Sequence, residues 1–93
     1  MTDTTTSISI TYTYFSAHDA ESFVALLSED EHRRAERFID PAVRARFIIG
    51  RGILRTWLGT MLSRRPEALR FDYGERGKPY LVGHDLRFNL SHA

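Results

Sequence analysis

Three stretches of this chain carry side chains that could do chemistry. They are Arg46 within PAVRARF (41–47), the loop GERGKP (74–79) and the run NLSH (89–92). Each could hold an anion, and each also has a plain structural reading. At 100° per residue Arg46 falls in the helical column of Gly50, Ile53 and Trp57, on the apolar side. A charge facing inward must be paired or must line a pocket, because an unpaired buried charge costs several kcal/mol. The alternative is that Arg46 snorkels out of the helix end. In GERGKP two glycines allow close backbone approach to an anion or a flat ring, and Pro79 fixes the loop; taken alone, Gly-Lys-Pro is more often a plain turn. It is not a P-loop, because the spacing and the following Ser/Thr are absent. His92 continues the face of Leu86, Phe88 and Leu90, as a satisfied core histidine or as a contact to phosphate or base. Ser91 and His92 are neighbours on a strand and point apart, so they do not form a nucleophile–base pair. His18, His32 and His84 are scattered, and no His/Asp/Glu set has metal-ligand spacing.

The elements that must position these residues follow from periodicity and caps. Ser7 to Phe15 alternates Ile8, Ile10, Tyr12 and Tyr14 with Ser and Thr and reads as a strand. Asp19 to Leu27 reads as a short helix. Ser28 and Glu31 have capping-box spacing, which predicts a helix to about Phe38. Asp40-Pro41 opens the longest helix, running to about Ser63. Its apolar stripe is Ile49, Ile53, Leu54, Trp57, Leu58 and Met61, with Arg44, Arg51 and Arg55 on the opposite, solvated face. Gly50, Gly52 and Gly59 each cost ~1 kcal/mol in a helix interior, which suggests close packing. Leu69 to Tyr73, Tyr80 to Val82 and Asp85 to Leu90 read as strands. One strand, three helices and then strands give an α+β fold with an antiparallel sheet packed against helices.

Residues 1–93 are expected to form a single domain, with 1–6 frayed. A hydrophobic content of 42% with 27% charged residues suits a soluble globular domain. The chain has no cysteine, which excludes disulfides and cysteine-bound zinc. No signal peptide or bilayer-spanning run is read, so a cytoplasmic location without membrane partners is expected. The net charge of +1 conceals a bias: Lys78 is the one lysine among 13 basic residues, and 41–66 contains arginines but no acid. That run motivates a competing class, a small nucleic-acid-binding domain using helix 41–66. No known nucleic-acid motif accompanies it, and no nucleic acid is expected as a partner. A third class is a non-enzymatic interaction module.

Taken together, Arg46 with GRGILRTWLG (50–59), Leu69–Tyr73, Gly77-Lys78-Pro79 and Phe88-Asn89-Leu90-Ser91-His92 resemble the 4′-phosphopantetheinyl transferases of the surfactin-synthetase type. The resemblance runs from about Ser28 to Ala93. That family transfers phosphopantetheine from coenzyme A to a serine of an acyl or peptidyl carrier protein in fatty-acid, polyketide or nonribosomal-peptide synthesis. Its members are pseudo-dimers of two α+β halves with coenzyme A between them, and this chain resembles the first half. The resemblance implies that Gly77, Lys78, Pro79 and Ser91 hold the adenine end. It implies that His92 and Arg46 contact the 3′-phosphate, with Arg34 helping from the preceding helix. The Mg²⁺-binding acids and the Lys-Glu-Ala segment belong to the second half and have no counterpart here. The implied protein is therefore truncated, a coenzyme A-binding half that is inactive alone. Its implied partners are a carrier protein and either the missing C-terminal half or a second copy of itself.

Overall fold

The computed structural model describes residues 6–12, 17–84 and 86–92; for Thr6, Ser7, Tyr12, Ala17, His18, Ser91 and His92 only the backbone is described. The expected strand positions 13–15, most of the frayed terminus and Asp85 lie outside the described residues; Thr6 itself begins the first strand.

The two long helices start where their caps dictate. The Ser28 hydroxyl accepts from the Glu31 amide at 3.2 Å, and the Ser28 amide donates to the Glu31 carboxylate at 2.9 Å. This reciprocal pair opens α2 (Glu29–Glu36). The Asp40 carboxylate accepts from the Ala42 amide at 2.8 Å and opens α3 (Pro41–Leu62), with proline in the first turn. α3 ends at Ser63 in the left-handed region, φ 54°, where the Arg64 amide donates to the Gly59 carbonyl. The expected helix over Asp19 to Leu27 is shorter than read. It is a 3-10 turn, Ala17–Ala20, leading into one α-helical turn, α1 (Glu21–Val24). The extended backbone of the Ser28 cap, ψ 166°, requires the chain to have left helical geometry before α2 begins.

β1 (Thr6–Tyr12) pairs with β4 (Leu86–His92), and β2 (Phe71–Tyr73) pairs with β3 (Pro79–Leu81). The α+β class holds, but the expectation of an antiparallel sheet holds only for β2–β3. β1 and β4 run parallel, with Ile8 opposite Phe88 and Ile10 opposite Leu90. A parallel partner needs a long crossover. The three helices and the β2–β3 hairpin supply it. The main core lies between α3 and the strands: Ile10, Leu54, Leu58, Leu69, Leu81 and Phe88. A second cluster of Ala20, Ala45 and Ile49 joins α3 to the segment before α2.

The apolar stripe of α3 is rotated from the one read in the sequence. Ile49, Leu54 and Leu58 are buried, but Trp57 is 55% and Met61 46% exposed. Both border a groove with Ile8–Thr11 of β1. The glycines do mark close packing at two places. A Cβ on Gly52 would lie 2.3 Å from the Phe23 ring, and one on Gly59 would lie 2.6 Å from the Arg64 carbonyl oxygen. Gly52→Ala is therefore expected to destabilise the domain by a net ~1–2 kcal/mol, overpacking outweighing the gain in helix propensity. Urea unfolding measures this. A stabilised variant would show that Phe23 does not press on the helix.

Candidate anion-binding groove

A trough runs across the surface over β4 in three adjoining sections. The first lies between Arg46, Phe47, Gly50 and Leu90, with a volume of about 270 Å³. The second, about 280 Å³, is walled by Arg51, Leu54, Lys78 and Asn89. Arg51 and Leu90 border both. The third continues past Lys78 and Pro79 to Tyr80 and Arg87, with Phe88 shared between it and the second. Arg46 and the Gly-Lys-Pro loop thus border one continuous surface, although 32 positions separate Arg46 from Lys78 (78 − 46).

Arg46 reaches this trough differently from the inward placement expected of it. It is exposed and stands on the rim. The buried side of α3 centres on Ile49, Leu54 and Leu58 rather than on Ile53 and Trp57, so Arg46 falls at its edge. The loop is a single 3-10 turn, Glu75–Gly77, in which Arg76 and Gly77 take positive φ of 66° and 73°. Gly77 supplies that backbone without strain. Two of the loop amides are committed internally. Gly74 donates to the Lys78 carbonyl at 2.9 Å and Gly77 to the Gly74 carbonyl at 3.1 Å. These two do not form the open amide cradle considered from the sequence. Of the two loop cations, Arg76 and Lys78, it is Lys78 that lines the trough; its Nζ donates to the Asn89 side-chain oxygen at 3.2 Å and so ties the loop to β4. Pro79 opens β3 and walls two sections of the trough. Ser91 and His92 continue β4, opposite Thr11 and Tyr12. Their expected contacts fall on side chains outside the described residues.

Beneath the trough lies a charge network that the sequence did not reveal. Arg55, expected to be solvated, is 1% exposed, as is Glu31. Arg55 Nε donates to Glu31 Oε1 at 2.7 Å, and Arg55 NH1 donates to the carbonyls of Pro66 at 2.9 Å and Leu69 at 2.8 Å. Arg51, also expected to be solvated, has a side chain 11% exposed with NH1 3.5 Å from Glu31 Oε2. The reason is that Glu31 turns into the fold while capping α2, and so draws both guanidiniums onto its side of α3. An acid three residues after a serine signals a cap, but nothing in its spacing signals an ion pair 24 residues away.

Arg34 donates from Nε to Asp30 Oδ2 at 2.8 Å, and its guanidinium lies 3.6 Å from the centroid of the Tyr73 ring. That hydrogen bond holds the Asp30 carboxyl below its ordinary range and raises the Arg34 guanidinium. The depressed carboxyl makes the pair stabilising above the ordinary carboxylate pKa, and the contribution fades as pH falls through the lowered value. The Arg51 guanidinium is 5.5 Å from the same ring and 5.2 Å from that of Phe47. The contacts that Tyr73, Arg51 and Asn89 make in and beside the groove were not assigned from the sequence.

Among the described residues no group of three His, Asp or Glu side chains is placed to hold a metal ion, and no helix is long and apolar enough to cross a membrane. Comparison with known proteins connects the chain to a family. Residues 15–93 match the family described as 4′-phosphopantetheinyl transferase, N-terminal. The chain is 48% identical over 77 residues to the 4′-phosphopantetheinyl transferase HetI of Nostoc sp., covering 78% of this chain and 32% of that protein. A Synechocystis sp. protein provisionally described as a 4′-phosphopantetheinyl transferase is 40% identical over 74 residues, covering 76% and 30% of the two chains. A 4′-phosphopantetheinyl transferase of Bacillus subtilis is 29% identical over 79 residues, covering 84% and 35%. The chain spans about a third of the length of these curated relatives. With a family match over most of its residues, the chain belongs to the 4′-phosphopantetheinyl transferases, of which it carries the N-terminal domain.

Proposed function

We propose that this chain is the coenzyme A-binding part of a transferase that moves phosphopantetheine from coenzyme A to a serine of an acyl or peptidyl carrier protein in the cytoplasm. The observation that carries the reading is the continuous trough from Arg46 through Arg51 to Lys78. Cations from one end of α3, its middle and the β2–β3 loop border it, as a phosphorylated nucleotide requires. Lys78 and Pro79, with Gly77 shaping the turn and Ser91 at the end of β4, are assigned to the adenine end. Arg46 and His92 are assigned to the 3′-phosphate. Arg34, tied to Asp30 and Tyr73, is assigned as a helper from α2 at the 3′-phosphate. We assign Mg²⁺ and the proton-accepting base to the part of the longer relatives that this chain does not span. No nucleic-acid partner is proposed, because Arg51 and Arg55 turn into the fold and α3 presents no unbroken basic face.

Two measurements test this. Isothermal titration should show coenzyme A binding, weakened about tenfold by Lys78→Ala, the scale of one charge-assisted hydrogen bond. Absence of binding by the unaltered chain would overturn the reading. Mass spectrometry of an apo carrier protein incubated with the chain, coenzyme A and Mg²⁺ should show no added phosphopantetheine; transfer by this chain alone would overturn the assignment of the reaction to the remainder.

A second observation concerns partners. Trp57 and Met61 stand exposed beside β1, and Ile8 and Ile10 lie on the same groove. We propose that this apolar face receives the C-terminal half, and that in its absence a second copy of the chain covers it. Sedimentation should then show self-association that Trp57→Ser weakens. A clean monomer at high concentration would remove the self-association.

A further inference from the structure

We infer that Arg51 is a specificity-determining residue of this groove, reading the 3′-phosphate from beneath, and that Glu31 positions it. The inference rests on the coenzyme A reading above. Arg51 is the one charged side chain that borders both the Arg46 section and the Lys78 section of the trough among the described residues. It therefore lies between the two ends assigned to the nucleotide. Its side chain is held in place before any ligand arrives. The rings of Phe47 and Tyr73 flank the guanidinium, and Gly50 leaves the adjacent floor open.

The contrast with Arg55 is informative. Both guanidiniums address Glu31. Arg55 meets it at 2.7 Å and donates to two carbonyls besides, which is a finished structural arrangement. Arg51 meets it at 3.5 Å, and both Arg51 NH1 and Glu31 Oε2 are buried without a hydrogen-bond partner. That distance exceeds a charge-assisted hydrogen bond of roughly 2.7–2.9 Å. Of the five donors of the guanidinium, those on NH1 are buried without a hydrogen-bond partner, and leaving them unmet is costly. Glu31 supplies enough negative charge to keep Arg51 under the groove but not enough contact to satisfy it. Between Arg46 and Lys78, a phosphate monoester dianion is the group that completes it.

The test separates recognition from mere support of the fold. Affinities for coenzyme A and for 3′-dephospho-coenzyme A are measured by calorimetry on the unaltered chain, Arg51→Gln and Arg51→Lys, with thermal melting of each. In Arg51→Gln the affinity for coenzyme A should fall by about tenfold or more, the scale of a hydrogen bond to a charged group, while that for the 3′-dephospho form changes less than about twofold. Arg51→Lys keeps the charge and loses the planar fork, so it should restore part of the preference; it also serves if the glutamine variant fails to fold. An equal loss for both ligands, or no loss for either, would overturn the inference while leaving coenzyme A binding intact. Failure of the unaltered chain to bind coenzyme A would instead overturn the reading on which it rests.

Discussion

Glu31→Ala is expected to lower the unfolding free energy by ~3–5 kcal/mol, the cost of leaving a buried charge without its partner. Arg55 is 1% exposed, and Glu31 is the carboxylate that it meets. Removing Glu31 strands Arg55 among the carbonyls of Pro66 and Leu69, leaves Arg51 without its counter-charge and deletes half of the capping box. A domain of this size has an unfolding free energy of roughly 5–14 kcal/mol, so the loss is a large fraction of the whole. A fall in Tm of about 12 °C or more should accompany it. Glu31→Gln keeps an oxygen acceptor for Ser28 and Arg55 and should lose less. Chemical denaturation of both variants measures the difference. A loss below about 1 kcal/mol for the alanine variant would place the pair in the class of solvated surface bridges.

Phe88→Ala is expected to cost a similar ~3–5 kcal/mol, from lost transfer energy and the cavity left behind. Phe88 is 4% exposed, packs edge-on to Phe71 with ring centroids 5.9 Å apart, and lies opposite Ile8 on β1. It also borders two sections of the trough, so the same substitution should abolish measurable coenzyme A binding. Phe88→Leu fills most of the volume and should recover most of the stability. If Phe88→Ala kept full coenzyme A affinity, the ligand would not lie over this part of β4.

Local signals in the sequence were reliable where a single residue type sets the backbone. Ser28 with Glu31 and Asp40 with Pro41 each did what their chemistry predicts, and the starts of α2 and α3 follow from them. The signals that failed depend on partners distant in the chain. Helical projection put Ile49, Leu54 and Leu58 inside correctly but grouped Trp57 and Met61 with them, because half-exposed Trp57 and Met61 weigh as much in a projection as buried Leu58. Arg55 looked solvated because its counter-charge is on another helix. The parallel pairing of β1 with β4 was illegible for the same reason: alternation marks a strand but carries no direction. For the groove, the motif-bearing Arg46 and Lys78 were legible, whereas Arg51 becomes visible only when its surroundings are.

The most direct test is the affinity of the unaltered chain for coenzyme A set against that for 3′-dephospho-coenzyme A, in one buffer at low and at high salt. The groove described here predicts that coenzyme A binds at least about tenfold tighter, with a preference that narrows as salt screens the phosphate. Equal affinities would contradict it, because the cations at positions 46 and 51 would then have no part in recognising the 3′-phosphate.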